Sequence, residues 1–261
     1  MHGRWIPMAG CKSIFLALLV LWLWLSSLYW FLTSPSLRYS LPLIVLAVLL
    51  RTFLQTGLFI VAHDAMHGNL VPGKAVFNTW LGVVFLGVYG LLSYDICREN
   101  HINHHQFCGQ SGDPDVPLAL LAKPLAWYFR FMYSYTSLGQ LLGLVMIWGL
   151  SLLVLPGDWG QLLFGLACFW ILPMVLSSAQ LFIFGTYLPH RSASGAQENA
   201  SQGPGDCLIV STDLHEFWSL LSCYHFGYHC EHHNNPALAW HQLPLARRQN
   251  LKAATNLPLA S

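Results

Sequence analysis

Nine of the thirteen histidines of the chain fall into three short groups. The groups are HDAMH at 63–67, HINHH at 101–105 and HFGYHCEHH at 225–233. Residues three and four apart share one face of an α-helix, so the imidazoles of each group are predicted to point at a common centre. Along one helix, the four histidines of the last group would occupy a sector of about 100°. Imidazoles concentrated in this way are typical of a metal site.

A tenth histidine, His190, ends an apolar run in the stretch YLPHR. One zinc ion takes only three or four protein ligands, whereas ten imidazoles are enough for two metals that keep open positions. No cysteine stands among the histidines at a spacing typical of tetrahedral zinc, so the pattern favours two imidazole-bound irons. The predicted ligands are His63, His67, His101, His104, His105, His190, His225, His229, His232 and His233. For His225, a positioning role beside the metals is the alternative.

The acidic stretch GDPD at 112–115 follows the second histidine group. Its Asp113 and Asp115 could orient ligand imidazoles, because carboxylates often accept the second ring N–H of a metal-bound histidine. The alternative is a turn that caps the segment beginning at residue 116. Both interpretations stay open at this point.

The segments that must position these groups are apolar. Hydrophobic residues make up 55% of the 261 residues and charged residues only 9%, with a mean hydropathy of +0.49. Soluble domains carry about 25% charged residues. We therefore expect an all-α, polytopic integral membrane protein that forms a single domain over residues 1–261. A net charge of +1, with scattered Lys and Arg, argues against a nucleic-acid partner.

Four apolar runs are long enough to cross a bilayer as helices, since about 20 apolar residues span the hydrocarbon core. The runs are 13–33, 41–62, 137–155 and 161–187. A fifth run, 75–94, lies between two histidine groups that belong on one side of the membrane. It is predicted to be a membrane-embedded or re-entrant pair of short helices, broken near Gly87 and Gly90. The histidine-rich segments are predicted to form a helical cap on their side.

Basic residues outside the predicted spans are distributed unequally between the two sides. The histidine side carries Arg4, Lys12, Lys74, Arg98, Lys123, Arg130, Arg191, Arg247, Arg248 and Lys252. The opposite loops carry Arg38 alone. Because cytoplasmic loops are enriched in Lys and Arg, the histidine side is predicted to be cytoplasmic.

Arg51 lies in the middle of the second apolar run. A cation inside a membrane span is costly and needs a partner. The candidates from the sequence are an ion pair with Asp95 and a hydrogen bond with Gln55.

The longer stretches around the histidines resemble the integral-membrane desaturase and hydroxylase superfamily. The stretches are GLFIVAHDAMHG at 57–68, HINHH followed by GDPD, TYLPHR at 186–191 and SCYHFGYHCEHHNNP at 222–236. Within that superfamily, the combination of HDAMH with YHFGYHxEHH is similar to bacterial and cyanobacterial β-carotene ketolases. The one departure is LAWHQLP at 238–244, where the family has a PWWxLP-like segment and this chain carries His241 in place of a tryptophan.

The resemblance implies oxidation of the C4 methylene of β-ionone rings to a ketone, giving echinenone and canthaxanthin from β-carotene. An allylic methylene has no acidic proton or leaving group, so a redox metal and dioxygen must oxidise it. The resemblance further implies a di-iron centre, O2 and electrons from ferredoxin or a similar donor, in a bacterial plasma or thylakoid membrane. The implied catalytic residues are His63, His67, His101, His104, His105, Asp113 and Asp115, and the candidates to line a carotenoid tunnel are Tyr94, Phe226 and Tyr228.

Two other functions remain open from the sequence. A carotenoid hydroxylase or lipid desaturase of the same superfamily would use the same irons but form an alcohol or a double bond. A histidine-rich metal transporter would place polar ligands across the membrane depth, whereas the histidines here are predicted to lie on one face.

Overall fold

The structure, a computed structural model, describes residues 6–35, 39–110, 112–116, 123–191 and 209–255. Arg4 and Arg38 of the charge comparison lie outside these ranges. Within them the regular secondary structure is helical, without a β-strand, as the composition predicts. The helices are α1 Ile6–Thr33, α2 Leu41–Met66, α3 Ala75–Gly90, α4 Tyr94–Phe107, α5 Pro124–Tyr135, α6 Leu138–Val154, α7 Trp159–His190, α8 Glu216–Cys223, α9 His229–Asn234 and α10 Leu243–Thr255, with a 3-10 turn at Trp240–Gln242.

Three helices are long and apolar enough to cross a membrane. They are the Gly10–Thr33 part of α1, α2 and α7. Two further pairs qualify only as bent units, α3 with α4 at 105° and α5 with α6 at 84°. The described chain therefore holds three to five candidate spans, and it is an integral membrane protein by length and composition.

Helix α2 is the centre of the helical bundle. Helices α1, α3 and α7 all pack against it, and its second half is buried around almost its whole circumference. Gly57 lies against the phenol of Tyr224, where an added Cβ would stand 2.5 Å from the hydroxyl oxygen. Because only glycine permits this approach, the loop that follows α8 can lie directly on α2. The end of α2 is thereby held inside the protein.

The segment 75–94 differs from its prediction as a pair of short helices. It contains one helix, α3, which runs through Gly87 and ends at Gly90. Leu91 then adopts a left-handed conformation with φ 57°, and the amides of Leu91 and Leu92 donate to the carbonyls of Gly87 and Leu86. Helices commonly end in this way, with a left-handed residue directly after the last turn. The chain reverses here by 105°, so α4 returns towards the end of α2.

The turn PGDWG joins α6 to α7. Asp158 caps α7 by accepting hydrogen bonds from the amides of Gly160 and Gln161. At its other end, α6 begins with a capping box formed by Ser137 and Gln140, which satisfies amides that the first helical turn leaves free. The starts of both α6 and α7 are therefore encoded locally.

Helix α7 is not a uniform α-helix. It contains two π-helical turns, Ala167–Ile171 and Phe182–Tyr187. The carbonyl of Phe169, in the first of these turns, accepts a hydrogen bond from Nε of the buried Arg51 at 2.8 Å.

The hydrogen-bond partners of Arg51 are therefore neither of the two candidates from the sequence. Its Nη1 donates to the carbonyl of Trp24 at 2.6 Å and to Oγ of Ser27 at 2.9 Å. Its guanidinium lies 4.7 Å from the ring centroid of Trp24. Gln55 instead accepts from Nε1 of Trp24 at 2.7 Å. The expectation of Asp95 or Gln55 as the hydrogen-bond partner of Arg51 is wrong, and backbone carbonyls replace them.

Candidate metal centre

The first histidine group lies at the end of α2. His63 is buried in the last turn, and His67 follows the final helical residue as its C-cap. The next residue, Gly68, has a φ of 76°, which favours glycine and ends the helix. The side chain of Asp64 accepts a hydrogen bond from the amide of Trp240 at 3.1 Å. The chain after the third histidine group is thereby fixed to α2.

The second group lies on α4, which the left-handed turn after α3 directs back towards α2. Ser93 caps α4 by accepting from the amide of Ile96. His101 and His104 are buried on the inner face, and Nε2 of His101 lies 2.6 Å from Nε2 of His67. The HxxxH and HxxHH spacings therefore converge as predicted.

The third group is divided between a turn and a helix. Tyr224 and His225 both have left-handed backbone angles, with φ of 50° and 63°, and α9 begins only at His229. His225 therefore does not share a helix with the other three histidines, and the prediction of one continuous face is wrong. The ring of His225 stacks on Tyr228 and lies near Trp240, with centroids 5.6 and 6.2 Å apart.

His190 reaches the same region from the end of α7 and is fully buried. Its ring centroid lies 4.9 Å from that of His104 and 5.1 Å from that of His229. Pro189 and the second π-helical turn precede it. The prediction that this isolated histidine joins the grouped ones agrees with its position.

Eight histidines form two groups of four. The first group is His63, His67, His101 and His232, and the second is His104, His190, His229 and His233. Within each group, the nitrogens that could bind a metal all lie within 4.8 Å of one another. Each group takes its residues from several helices, so neither exists before the chain is folded.

His105 lies between the two groups. Its Nε2 is 3.0 Å from Nε2 of His232, in the first group. Its ring stacks on that of His233, in the second group, with centroids 4.0 Å apart and planes at 15°. The structure thus brings nine of the ten predicted ligands together and leaves His225 outside.

The residues present fit two metal ions. Nε2 of His63, Nε2 of His190 and Nδ1 of His229 are buried without a hydrogen-bond partner, which is rare unless a ligand takes the lone pair. In α9, burial first and neighbouring imidazoles second hold the pKa of His232 well below its usual value, which favours the neutral, metal-binding form. Cys108 lies 3.9 Å from Nδ1 of His190 but is disulfide-bonded, so it offers no thiolate.

Asp113 contacts both a clustered imidazole and the backbone of its own turn. Its carboxylate accepts from Nδ1 of His104 at 2.9 and 3.1 Å. It also accepts from the backbone amides of Gly109, Asp115 and Val116, which closes the turn. Burial alone would raise the pKa of Asp113, but the hydrogen bond from His104 and the backbone amides outweigh it, so the pKa lies below its usual value. The carboxylate orients His104 with Nε2 directed away from the turn.

Asp115 has a different partner, which the sequence did not indicate. Its carboxylate accepts from the hydroxyl of Tyr135 at 2.6 Å, and its carbonyl accepts from Nε1 of Trp127 at 2.7 Å. Burial raises the pKa of Asp115 to about 6. Tyr135 and Trp127 are twenty and twelve residues away in the chain, so no short motif could have linked them to the site.

The three candidates for a substrate tunnel are placed differently. Phe226 lines a small cavity beside the histidines and lies 4.8 Å from the ring of His63. Tyr94 instead packs between α3 and α2 and donates to the carbonyl of Ala65. Tyr228 donates to the carbonyl of Leu214 at 2.7 Å. Of the three, Phe226 alone borders a described cavity.

The chain belongs to the fatty acid desaturase family, whose sequence model matches residues 39–258. The matched range covers most of the chain and contains all the clustered histidines. No solved structure matches the chain.

The relatives of the chain form a narrower group than the family, because those named here are β-carotene ketolases. The chain is 37% identical to a β-carotene ketolase from Paracoccus sp. (strain PC1), over 91% of this chain and 92% of that protein. A second β-carotene ketolase, from Paracoccus sp. (strain N81106 / MBIC 01143), is also 37% identical, over 84% of both chains. A β-carotene 4-ketolase from Protosiphon botryoides is 34% identical over 82% of this chain and 54% of that protein.

Proposed function

We propose that the protein is an O2-dependent carotenoid oxygenase that converts the C4 methylene of β-ionone rings to a ketone. β-Carotene would yield echinenone after one ring and canthaxanthin after both. The observation that carries the proposal is the pair of four-imidazole groups in a chain similar to β-carotene ketolases over most of its length. These groups and their supporting carboxylates take residues from 63 to 233, in keeping with one domain.

The two groups of four would each hold one iron. His105, placed between them, would complete a set of nine imidazole ligands, and His225 would support the site without binding metal. Iron bound there would supply the redox chemistry with dioxygen that an allylic C–H bond requires. Asp113 would hold His104 in one tautomer, with its Nδ1 proton directed at the carboxylate.

The reaction balances as two hydroxylations of one carbon. Each consumes one O2, two electrons and two protons, inserts one oxygen into a C–H bond and releases one water. The second gives a geminal diol, which loses water to leave the ketone. The cavity at the histidines is small and closely lined, so bulk water would be kept away from the carbon during the oxidation.

We also propose four membrane spans, because this count puts all the histidine groups on one side of the membrane. Both α2 and α7 run towards the histidines, and α4 also ends beside them. The chain therefore needs one crossing away from the histidines before α7, and α6 is the helix available. Its 17 residues extend roughly 25 Å, at the lower end of the lengths that cross a bilayer. The bent pair α3–α4 would then enter and leave on the histidine side.

The histidine side would be cytoplasmic, and the electron donor would approach there. Helix α10 carries Arg247, Arg248 and Lys252. Nη1 of Arg247 donates to Glu231 of α9 at 3.2 Å, so the basic helix is joined directly to the metal-binding helix. A small electron-donor protein such as ferredoxin would dock on this side.

A pigment assay tests the proposal. The chain is expressed in a bacterium that accumulates β-carotene, the carotenoids are separated, and their molecular masses are measured by mass spectrometry. We expect echinenone and canthaxanthin, each ketone adding one oxygen and removing two hydrogens per ring. Unchanged β-carotene, with the protein present in the membrane and reductant supplied, would contradict the proposal.

The same experiment distinguishes the alternatives. A hydroxylase would add oxygen without removing hydrogen, and a desaturase would remove hydrogen alone. Metal analysis of the purified protein separates the enzyme from a transporter. We expect about two irons per chain, whereas exchangeable zinc without oxidised pigment would favour a transporter.

A further inference from the structure

Two cavities meet beside the histidines. The outer cavity has a volume of 180 Å³ and is lined mainly by apolar and aromatic side chains. The inner cavity has a volume of 30 Å³ and is bordered by four of the clustered histidines. The residues that line both are Phe59, Phe131, Tyr135 and Leu181. We refer to these four residues as the throat, because they form the wall that the two cavities share.

The volumes limit what can reach the histidines. An apolar cavity of about 150 Å³ holds one benzene ring, so the outer cavity has room for one six-membered ring but not for a long polyene. The inner cavity holds only one or two water-sized molecules. A ring in the outer cavity can therefore present only its edge to the histidines, with its bulk remaining at the throat.

The outer cavity reaches the lipid-facing surface of two apolar helices. Leu141 of α6 and Val175 of α7 line it, and they are 50% and 51% exposed. Its opposite wall is braced by Gln140, whose side-chain amide donates to the carbonyl of Gly90 at 2.7 Å. This bond joins the start of α6 to the end of α3. A linear chain attached to the ring would leave between α6 and α7 into the hydrocarbon.

Tyr135 is the throat residue whose orientation is fixed by a polar contact. Its hydroxyl donates to Asp115 at 2.6 Å. Asp115 is itself held, since its carbonyl accepts from the indole of the fully buried Trp127. The three other throat residues are hydrocarbon side chains, which can shift between rotamers without breaking a hydrogen bond. Tyr135 is therefore the most sharply positioned part of the wall that a ring would meet.

We propose that the throat admits one ring end of a polyene from the bilayer, and that Tyr135, held by Asp115, sets how far the ring advances towards the histidines. This inference rests on the proposed function and deepens it. Tyr135 is a positioning residue that determines which ring carbon is oxidised. Each ring is processed separately while the rest of the polyene stays in lipid, so the monoketone is released before the diketone forms.

The substitution Tyr135→Phe tests the proposal, because it keeps the aromatic ring and removes the bond to Asp115. We expect iron content to stay unchanged and C4 ketone formation from β-carotene to fall about 10-fold, the loss of a hydrogen bond to a charged group. Part of the remaining product should carry oxygen at the neighbouring ring carbon. The matched control is Tyr133→Phe on the same helix, at a side chain that is 76% exposed, which should change neither yield nor position.

A second variant, Leu181→Trp, tests the path. The larger side chain should close the throat, abolishing conversion of β-carotene while both irons stay bound. Unchanged conversion by Leu181→Trp, or an unchanged product pattern and rate in Tyr135→Phe, would overturn the inference. Loss of iron in Tyr135→Phe would instead show that the residue supports the metal site, which also contradicts the proposal.

Failure of the proposed function has a different signature. In that case the wild-type protein itself forms no C4 ketone. If it forms an alcohol or a double bond instead, the position of that oxidation in Tyr135→Phe still reports whether the throat sets the depth of the ring.

Discussion

The chain buries two polar clusters, one around Arg51 in the middle of α2 and one formed by histidines at the end of the same helix. Around Arg51, two of the three guanidinium nitrogens donate to groups on other helices, and Nη2 alone is without a partner. The acceptors are mainly backbone carbonyls. Hydrogen bonds to a charged group are among the stronger ones in proteins, so this cluster fastens α1, α2 and α7 together.

In the histidine cluster, by contrast, the polar atoms do not bond to backbone groups of neighbouring helices in this way, within the part of the chain that the structure describes. Three of its ring nitrogens are buried without a partner, and other pairs face each other at 2.6 to 3.0 Å. Such an arrangement is unfavourable without a bound ligand, because a buried unpaired polar group costs about 1–3 kcal/mol. Polar groups of the Arg51 cluster thus hold helices together, whereas those of the histidine cluster are free to take the metal ions that we propose; α2 contributes to both clusters.

The largest expected effect concerns the histidine cluster. His104→Ala should remove the second four-histidine group, reduce iron content by at least one per chain and abolish ketone formation. Iron measured by plasma emission and product measured by chromatography check this. The control His215→Asn changes an exposed histidine that caps α8, and it should leave both quantities unchanged. Full iron content in His104→Ala would contradict the proposal that the histidine cluster, unlike the Arg51 cluster, binds metal.

Arg51→Met tests the other cluster. It leaves the carbonyls of Phe169 and Trp24 without their donor, so we expect a loss of about 3 kcal/mol in the free energy of unfolding. The thermal midpoint in detergent should fall, while iron per folded chain and activity per bound iron stay unchanged. Ser27→Ala, which removes a single acceptor, should cost about 1 kcal/mol. An Arg51→Met protein that is more stable than the wild type would show that the cluster does not stabilise the packing of α1, α2 and α7.

Asp113→Asn sharpens the comparison within the metal site. The amide oxygen still accepts from Asp115 and Val116, but the bond from Gly109 and the charge that orients His104 are lost. Supporting groups of this kind commonly contribute 10–100-fold in metal affinity, and we expect about 10-fold weaker iron retention in a competition with a chelator. Asp95→Asn changes an exposed carboxylate of α4 and serves as the control. Equal retention by the two variants would contradict the role assigned to Asp113.

The smallest effect is expected at His225. Asparagine tolerates the left-handed backbone found there, with φ of 63°, so His225→Asn should preserve the turn. We expect two irons per chain and a change in rate of less than about threefold, within the range of a mild packing change. Loss of iron would place His225 among the ligands after all.

Sequence spacing predicted that the histidine groups converge, and the structure brings nine of the ten histidines together. HDAMH spans the last turn of α2 and its C-cap, HINHH lies on α4, and both converge because each keeps the helical spacing. The spacing failed at HFGYHCEHH because it assumed a helix through His225. The left-handed angles at Tyr224 and His225 end that helix, and a count of residues does not reveal such a turn.

Contacts between distant segments could not be predicted. The partner of Arg51 is a carbonyl in a π-helical turn 118 residues away, and that carbonyl becomes available only through the local geometry of α7. The link from Asp115 to Tyr135 likewise depends on how α5 packs. The prediction for 75–94 located the break near Gly90 but attributed it to glycine, whereas Leu91 adopts the left-handed angle.

The two π-helical turns of α7 also determine its phase. Each holds one residue more per turn than the α-helix around it, so everything beyond it is rotated by roughly 100° relative to an uninterrupted helix. His190 follows the second of these turns after Leu188 and Pro189. Losing one residue from Phe182–Tyr187 would therefore rewind the helix and carry the imidazole to another side, with every histidine still present in the sequence.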